Sequence, residues 1–172
     1  MSGEITVRPA VPSDAAAMAR VHVASWRSTY RGMMPDAMLD DPGFVARREG
    51  FWTTALTDER FASNRVSVAE QDGEVVGVAM SGPVTNAEPG VLHLYVLYLL
   101  DGHHGSGAGS ALLDAVISPT EQAVLWVADP NPRAQAFYRK RGFVSDGVEQ
   151  VEDGVREIRM ARAPGPPVPP RD

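Results

Sequence analysis

The amino-acid sequence predicts a single α/β domain, and three observations point to it. Segments with strand-like alternation and segments with helical spacing of apolar residues follow one another along the 172 residues. Two Asp-Gly pairs, Asp72-Gly73 and Asp153-Gly154, each lie between alternating runs and mark β-hairpins. A glycine-rich segment, His104-Gly105-Ser106-Gly107-Ala108-Gly109-Ser110, joins an apolar run to a helical one.

Taken in order, residues 4 to 9 alternate as a strand through Ile5 and Val7, and Ser13 after Pro12 is placed to cap a helix running to about Arg31. Met18, His22, Trp26 and Tyr30 form one i, i+4 row on that helix. A second helix is expected from about Pro42 to Leu56, with Phe44, Phe51 and Trp52. Strands follow from Val66 to Glu70 and from Glu74 to Met80, turning at Asp72-Gly73, and a third long strand spans Val91 to Leu100. Ala108, Ala111, Leu112, Ala115 and Val116 give a helix over about 107 to 117, ended by Pro119. Residues 122 to 128 have the pattern of a buried strand. Asn131 followed by Pro132 is a strong helix start, and Gly142 suits its far end. The last two strands, about Phe143 to Val151 and Val155 to Ala161, turn at Asp153-Gly154. The segment Ala163 to Asp172 has too many prolines and too little apolar surface to join a core, so the domain is expected to be 1–162 and residues 163–172 an extended, disordered tail.

Composition excludes several classes of function. Hydrophobic residues at 44% and charged residues at 22% are ordinary for a globular protein. No apolar run reaches the roughly 20 residues of a membrane span. The opening residues show no basic segment leading into an apolar one, so no secretory signal and a cytoplasmic location are expected. With no cysteine there is no disulfide, no thiolate metal ligand and no cysteinyl acyl intermediate, so direct group transfer is favoured. A net charge of −6 speaks against a broad nucleic-acid surface.

The glycine-rich segment carries the chemistry. Three glycines within five positions let backbone amides crowd around an anion, and the helix that follows turns its unpaired N–H groups and positive dipole end toward the same point. A nucleoside-triphosphate loop needs a Lys after its last glycine, yet the one Lys of the chain is Lys140. A dinucleotide fingerprint needs a third glycine where Ser110 or Leu112 stands.

The spacing His104-x-x-Gly107-x-Gly109 resembles the Gln/Arg-x-x-Gly-x-Gly/Ala pyrophosphate loop of the GNAT superfamily of acetyl-CoA-dependent N-acetyltransferases. Asn131-Pro-Arg-Ala-Gln-Ala-Phe137-Tyr138, ahead of Gly142-Phe143, is similar to that superfamily's cofactor-side helix. The order of elements over residues 4 to 162 is also that of the superfamily, and the stretch Trp26 to Pro35 looks like one common in bacterial members. The resemblance implies a mixed, twisted, mostly antiparallel sheet of about seven strands with helices on both faces. It further implies an enzyme that binds acetyl-CoA, without a metal, where two central strands diverge, and moves the acetyl group to a primary amine. Dimers are common in the superfamily, so a homodimer is among its implications.

Site residues follow from the resemblance position by position. The cofactor would lie against His104, Gly105, Ser106, Gly107, Ala108, Gly109 and Ser110, against the strand end Leu97, Tyr98 and Leu99, and against Asn131. Asn131 also has a sufficient structural purpose as a helix cap. Tyr138 is the candidate general acid, since a phenol of pKa about 10 is protonated at neutral pH and can hand its proton to a departing thiolate. Its alternative is plain packing beside Phe137. The strand position where some relatives carry a catalytic Glu is Trp126 here, and His93 falls where histone-type relatives carry another. His93 titrates in the right range to be the base, and alternation puts it on one strand face with Tyr95, opposite Leu92, Leu94 and Val96. Trp26 and Tyr30 are either core aromatics or the lining of an acceptor pocket. The rival from another class is a catalytically weak acetyl-CoA sensor or assembly module. A transferase acting on charged tRNA would want a basic acceptor surface that the net charge does not favour.

Overall fold

The computed structural model describes residues 3–84 and 89–166. Seven strands form one sheet: β1 (Ile5–Pro9), β2 (Arg65–Gln71), β3 (Glu74–Pro83), β4 (Leu92–Leu99), β5 (Ala123–Ala128), β6 (Val144–Glu152) and β7 (Val155–Arg162). The two Asp-Gly pairs that lie between alternating runs form the expected hairpin turns, with Asp72, Gly73, Asp153 and Gly154 all at positive φ between 51° and 82°. The strand order is β1-β2-β3-β4-β5-β7-β6, so β7 inserts between β5 and β6. Every neighbouring pair is antiparallel except β4 and β5, which are parallel.

Helices α1 (Ala15–Tyr30), α2 (Asp36–Leu39), α3 (Phe44–Thr57), α4 (Ala108–Val116) and α5 (Pro132–Lys140) cover both faces. On one face Met18, Ala19 and Trp52 from α1 and α3 meet Val68, Val78 and Val96 of the sheet. On the other, Leu112, Leu113 and Val116 of α4 meet Leu94, Leu125, Phe143 and Met160, with Phe137 and Tyr138 of α5 against them. The mixed, mostly antiparallel sheet with helices on both sides is therefore the observed architecture.

Four details differ from the sequence expectation. Ser13 does not cap α1: Pro12–Asp14 form a 3-10 turn, and the Asp14 carboxylate accepts from the Val11 N–H at 2.8 Å and from both Arg8 guanidinium nitrogens at 2.8 and 2.9 Å. Helix α2, of 4 residues, was not foreseen, being too short to show a period. Val96 does not share a face with Leu94, because Met80 opposes Val96 while Ser81 opposes Leu94, leaving Tyr95 unpaired as a β-bulge that reverses the alternation. Residues 163–166 form no helix or strand, but the Gly165 N–H donates to the Thr120 carbonyl at 3.0 Å; the rest of the expected tail, 167–172, lies outside the described residues.

Arg8 also donates to Glu70 at 2.7 and 3.0 Å, so one guanidinium ties β1, β2 and the start of α1 together. Its hydrogen bonds hold the Asp14 carboxyl below its ordinary value of 3.8. A carboxyl with a depressed folded pKa contributes stability that is complete above its unfolded pKa and is lost as pH falls through the folded one. Asp14→Asn is expected to cost about 1–3 kcal/mol at pH 7. In urea unfolding that difference should narrow as the pH is taken below 4, toward the unfolded value of 3.8 and beyond.

Candidate active site

Strands β4 and β5 pair only over Leu92–Leu94 and Ala123–Leu125. Beyond that point β4 stays with β3 and β5 stays with β7, so the sheet parts and leaves an open cleft of about 960 Å³. The Leu100 N–H donates to the Val76 carbonyl at 2.9 Å, and antiparallel bonding alternates along the strand. Tyr98 therefore spends its backbone groups on β3, whereas Leu97 and Leu99 turn theirs toward the side β5 has left. Of the three strand-end residues named from the sequence, Leu97 and Leu99 turn backbone groups toward the gap, while Tyr98 lines it with its backbone groups turned to β3.

The glycine-rich segment closes one mouth of the cleft. Gly105 and Gly107, at φ 78° and 88°, take backbone angles a side chain would resist, and Gly107 is the residue that starts α4. The N–H groups of Gly105, Gly107, Gly109 and Ser110 have no acceptor among the described residues, and all four residues line the cleft. Ser106 and Ala108 do not line it. The Ser106 hydroxyl donates to the His103 carbonyl at 2.6 Å and accepts from the Ala108 N–H at 3.3 Å, bracing the loop from behind.

His104 lines the cleft, and its side chain is engaged. Arg133 Nη1 lies 2.7 Å from His104 Nδ1, and since a guanidinium only donates, Nδ1 is the acceptor of a neutral ring. Burial, followed by the charge of Arg133, holds the imidazole below its ordinary 6.5. A guanidinium from the first turn of α5 thus stands beside the loop position where the superfamily that the sequence resembles carries Gln or Arg. Sequence reasoning passed over Arg133, although a cation in the first turn of a helix opposes the helix dipole and is a signal worth heeding.

Tyr138 enters the cleft from α5 with its ring set against Phe137 and Phe143 at centroid distances of 5.3 and 5.9 Å. Burial, reinforced by the neighbouring Tyr98, pushes its hydroxyl above the ordinary 10, so it keeps its proton. The Tyr98 hydroxyl accepts from Trp26 Nε1 at 2.8 Å, leaving its own hydrogen free. Behind this pair His22, 3% exposed, packs its ring 4.9 Å from Tyr98 and 5.8 Å from Trp26, and burial lowers its pKa to about 3. The Asn131 side chain accepts from the Ala134 N–H at 3.2 Å, so its cap purpose is realised at the cleft's edge.

On the opposite wall Trp26 and Tyr30 stand 5.1 Å apart and line the cleft, where burial raises the Tyr30 hydroxyl. His93 lines it as well, its ring 4.2 Å from that of Tyr95, and burial holds it below 6.5. Trp126 faces the same space from β5. Four lining carboxylates were not anticipated: Asp101 beside the glycine-rich loop, and Glu152, Asp153 and Glu157 of the β6–β7 hairpin. Among the described residues no group of three His, Asp or Glu side chains is placed to hold a metal ion.

A sheet that parts between two parallel strands, with an anion cradle at one mouth and a buried phenol between the walls, is the architecture of an acyl-group transferase. The chain belongs to the acetyltransferase (GNAT) family, whose model matches residues 24–143. It is 29% identical over 147 residues to a Mycobacterium tuberculosis protein named as an N-acetyltransferase, covering 83% of this chain and 82% of that one. It is 32% identical over 135 residues to the uncharacterized N-acetyltransferase YuaI of Bacillus subtilis, covering 74% of each. The fold matches that of the PaiA N-acetyltransferase of Thermoplasma acidophilum, solved in complex with coenzyme A, with a TM-score of 0.73, 17% identity and coverage of 93% of this chain and 99% of that one.

Arg133→Ala removes the cation that disfavours protonation of His104. The His104 midpoint is expected to rise toward the ordinary imidazole value, tracked by its ring resonances in an NMR pH titration; an unmoved midpoint would show that the contact does not form in solution.

Proposed function

We propose that the protein transfers the acetyl group of acetyl-CoA to a primary amine, on a small molecule or on a peptide or protein, by direct attack. The observation that supports this most strongly is the parted sheet with four free N–H groups at one mouth and the Tyr138 hydroxyl inside. Those N–H groups, with Arg133 beside them, suit a pyrophosphate. Bound acetyl-CoA supplies an acetyl thioester.

The remaining chemistry falls to side chains and backbone of this chain. An alkylammonium of pKa about 10 must lose a proton before it can attack, and the neutral imidazole of His93, directly or through water, is the acceptor this reading assigns. The Leu99 N–H, turned toward the gap and unused by β3, is the donor for the negative charge that develops on the acyl oxygen. Tyr138 Oη holds its proton at neutral pH and delivers it to the departing sulfur. Trp26 and Tyr30 would form the acceptor wall opposite the cradle.

The catalytic unit in this proposal is residues 1–162, acting in the cytoplasm, with a homodimer as the assembly the family suggests. Among the described residues no helix is long and apolar enough to cross a membrane. A second reading, a catalytically weak acetyl-CoA sensor or assembly module, draws on Trp126, which stands in the cleft where a carboxylate would serve as base.

Calorimetric titration with acetyl-CoA, followed by thiol release against a panel of amines, separates the two. The expected outcome is binding with amine-dependent turnover, and a loss of about 100-fold or more in kcat for Tyr138→Phe while acetyl-CoA affinity is retained. Binding without turnover across the panel would favour the sensor.

A further inference from the structure

Most of the charges that line the cleft are sorted by end. Arg133, Lys140 and the cradle N–H groups lie on the side of the glycine-rich loop with one carboxylate, Asp101, which accepts from the Ser28 hydroxyl at 2.6 Å, whereas the β6–β7 hairpin places Glu152, Asp153 and Glu157 along the other end, near Trp26 and Tyr30. The arginines of that hairpin are committed elsewhere. Arg156 pairs with Asp129 and Glu149, and Arg159 pairs with Asp146, so the hairpin's three lining carboxylates have no ion-pair partner among the described residues. The side chain that contacts two of them is neutral: Gln150 Nε2 donates to Glu157 at 2.7 Å and to Glu152 at 3.3 Å, which positions the carboxylates without cancelling their charge.

Glu157 is the innermost. It lies opposite Ala128 in the β5–β7 ladder, so it shares the face of the sheet on which Ala128 meets Tyr30 and Trp26, while Glu152 and Asp153 are exposed at the rim. A second observation independently points to a ligand in this cleft. Ser25 on α1 is only 7% exposed and lines the cleft, yet its Oγ has no hydrogen-bond partner. A buried hydroxyl without a partner costs stability unless something the protein binds completes it.

Resting on the function proposed above, we infer that the acceptor carries a second cationic group besides the amine that is acetylated. The reacting amine enters alongside the paired rings of Trp26 and Tyr30, whose π systems favour a cation, with Glu157 beside it. The second cation is held at the rim by Glu152 and Asp153. A monoamine leaves those two carboxylates uncompensated, and an anionic acceptor is repelled by all three.

The test uses the purified full chain without acetyl-CoA, and its probes are 1,4-diaminobutane and 1-aminobutane. Of the 3 tryptophans, Trp26 and Trp126 line the cleft and Trp52 is buried, so tryptophan fluorescence reports on occupancy. The diamine is expected to bind about fivefold or more tightly than the monoamine at low ionic strength, the preference shrinking as salt is raised. Glu152→Gln combined with Asp153→Asn should bring the ratio to about one. Equal affinity for the two amines, or a preference that survives the double substitution, would overturn the inference. Because this binding is read without the cofactor, a failure of acetyl-CoA to bind in the separate titration would count against the proposed function and leave the diamine result intact.

Discussion

Strands β4 and β5 run parallel, and they hold each other by only the pairing of Leu92–Leu94 with Ala123–Leu125. Just past the paired segment Tyr95 is squeezed out as a bulge, and from there β4 follows β3 while β5 follows β7. Nearly every functional feature depends on this separation. It exposes the backbone of Leu97 and Leu99, brings the N-terminal ends of α4 and α5 to one mouth of the gap, and lets Tyr138 and Tyr98 line it together from different elements. A fully paired ladder would consume those backbone groups and fill the space.

The site's electrostatics follow from the same geometry. At the glycine-rich mouth, His104 and Arg133 come from different elements and meet at 2.7 Å, so that a guanidinium reaches the loop although the loop itself carries none. Inside, burial raises the Tyr138 hydroxyl and lowers the His93 imidazole, which favours the protonated phenol and the neutral ring that the proposed acid and base need. At the far end, the insertion of β7 between β5 and β6 delivers Glu157 to the cleft wall.

Much of this was legible in the sequence because it depends on short-range chemistry. The Asp-Gly turns, the Asn131-Pro132 helix start and the glycines before α4 each specify a local conformation, and local order was enough to recover all seven strands. What was not legible depends on partners distant in the chain. Leu92 to Leu99 is an unbroken apolar-rich run, and nothing in it shows that Tyr95 will lack a partner on β3. Ser106 has the sequence position of an anion ligand, but its hydroxyl closes on His103 and Ala108. Glu152 and Glu157 look like ordinary hairpin carboxylates until the strand order is known.

The gap also coincides with a division in chain order. Strands β1 to β4 come from residues 5–99 and strands β5 to β7 from residues 123–162, so each lobe is contiguous and the ladder joining them is three residues long on each side. Helix α4 packs across β1 to β4, and its buried Leu112, Leu113 and Val116 share one apolar cluster with Leu125, Phe143 and Met160 from the second half of the chain. The spacing of the cleft walls therefore rests in part on van der Waals packing in that layer, and the buried residues of α4 help to set the aperture of a cleft they do not line.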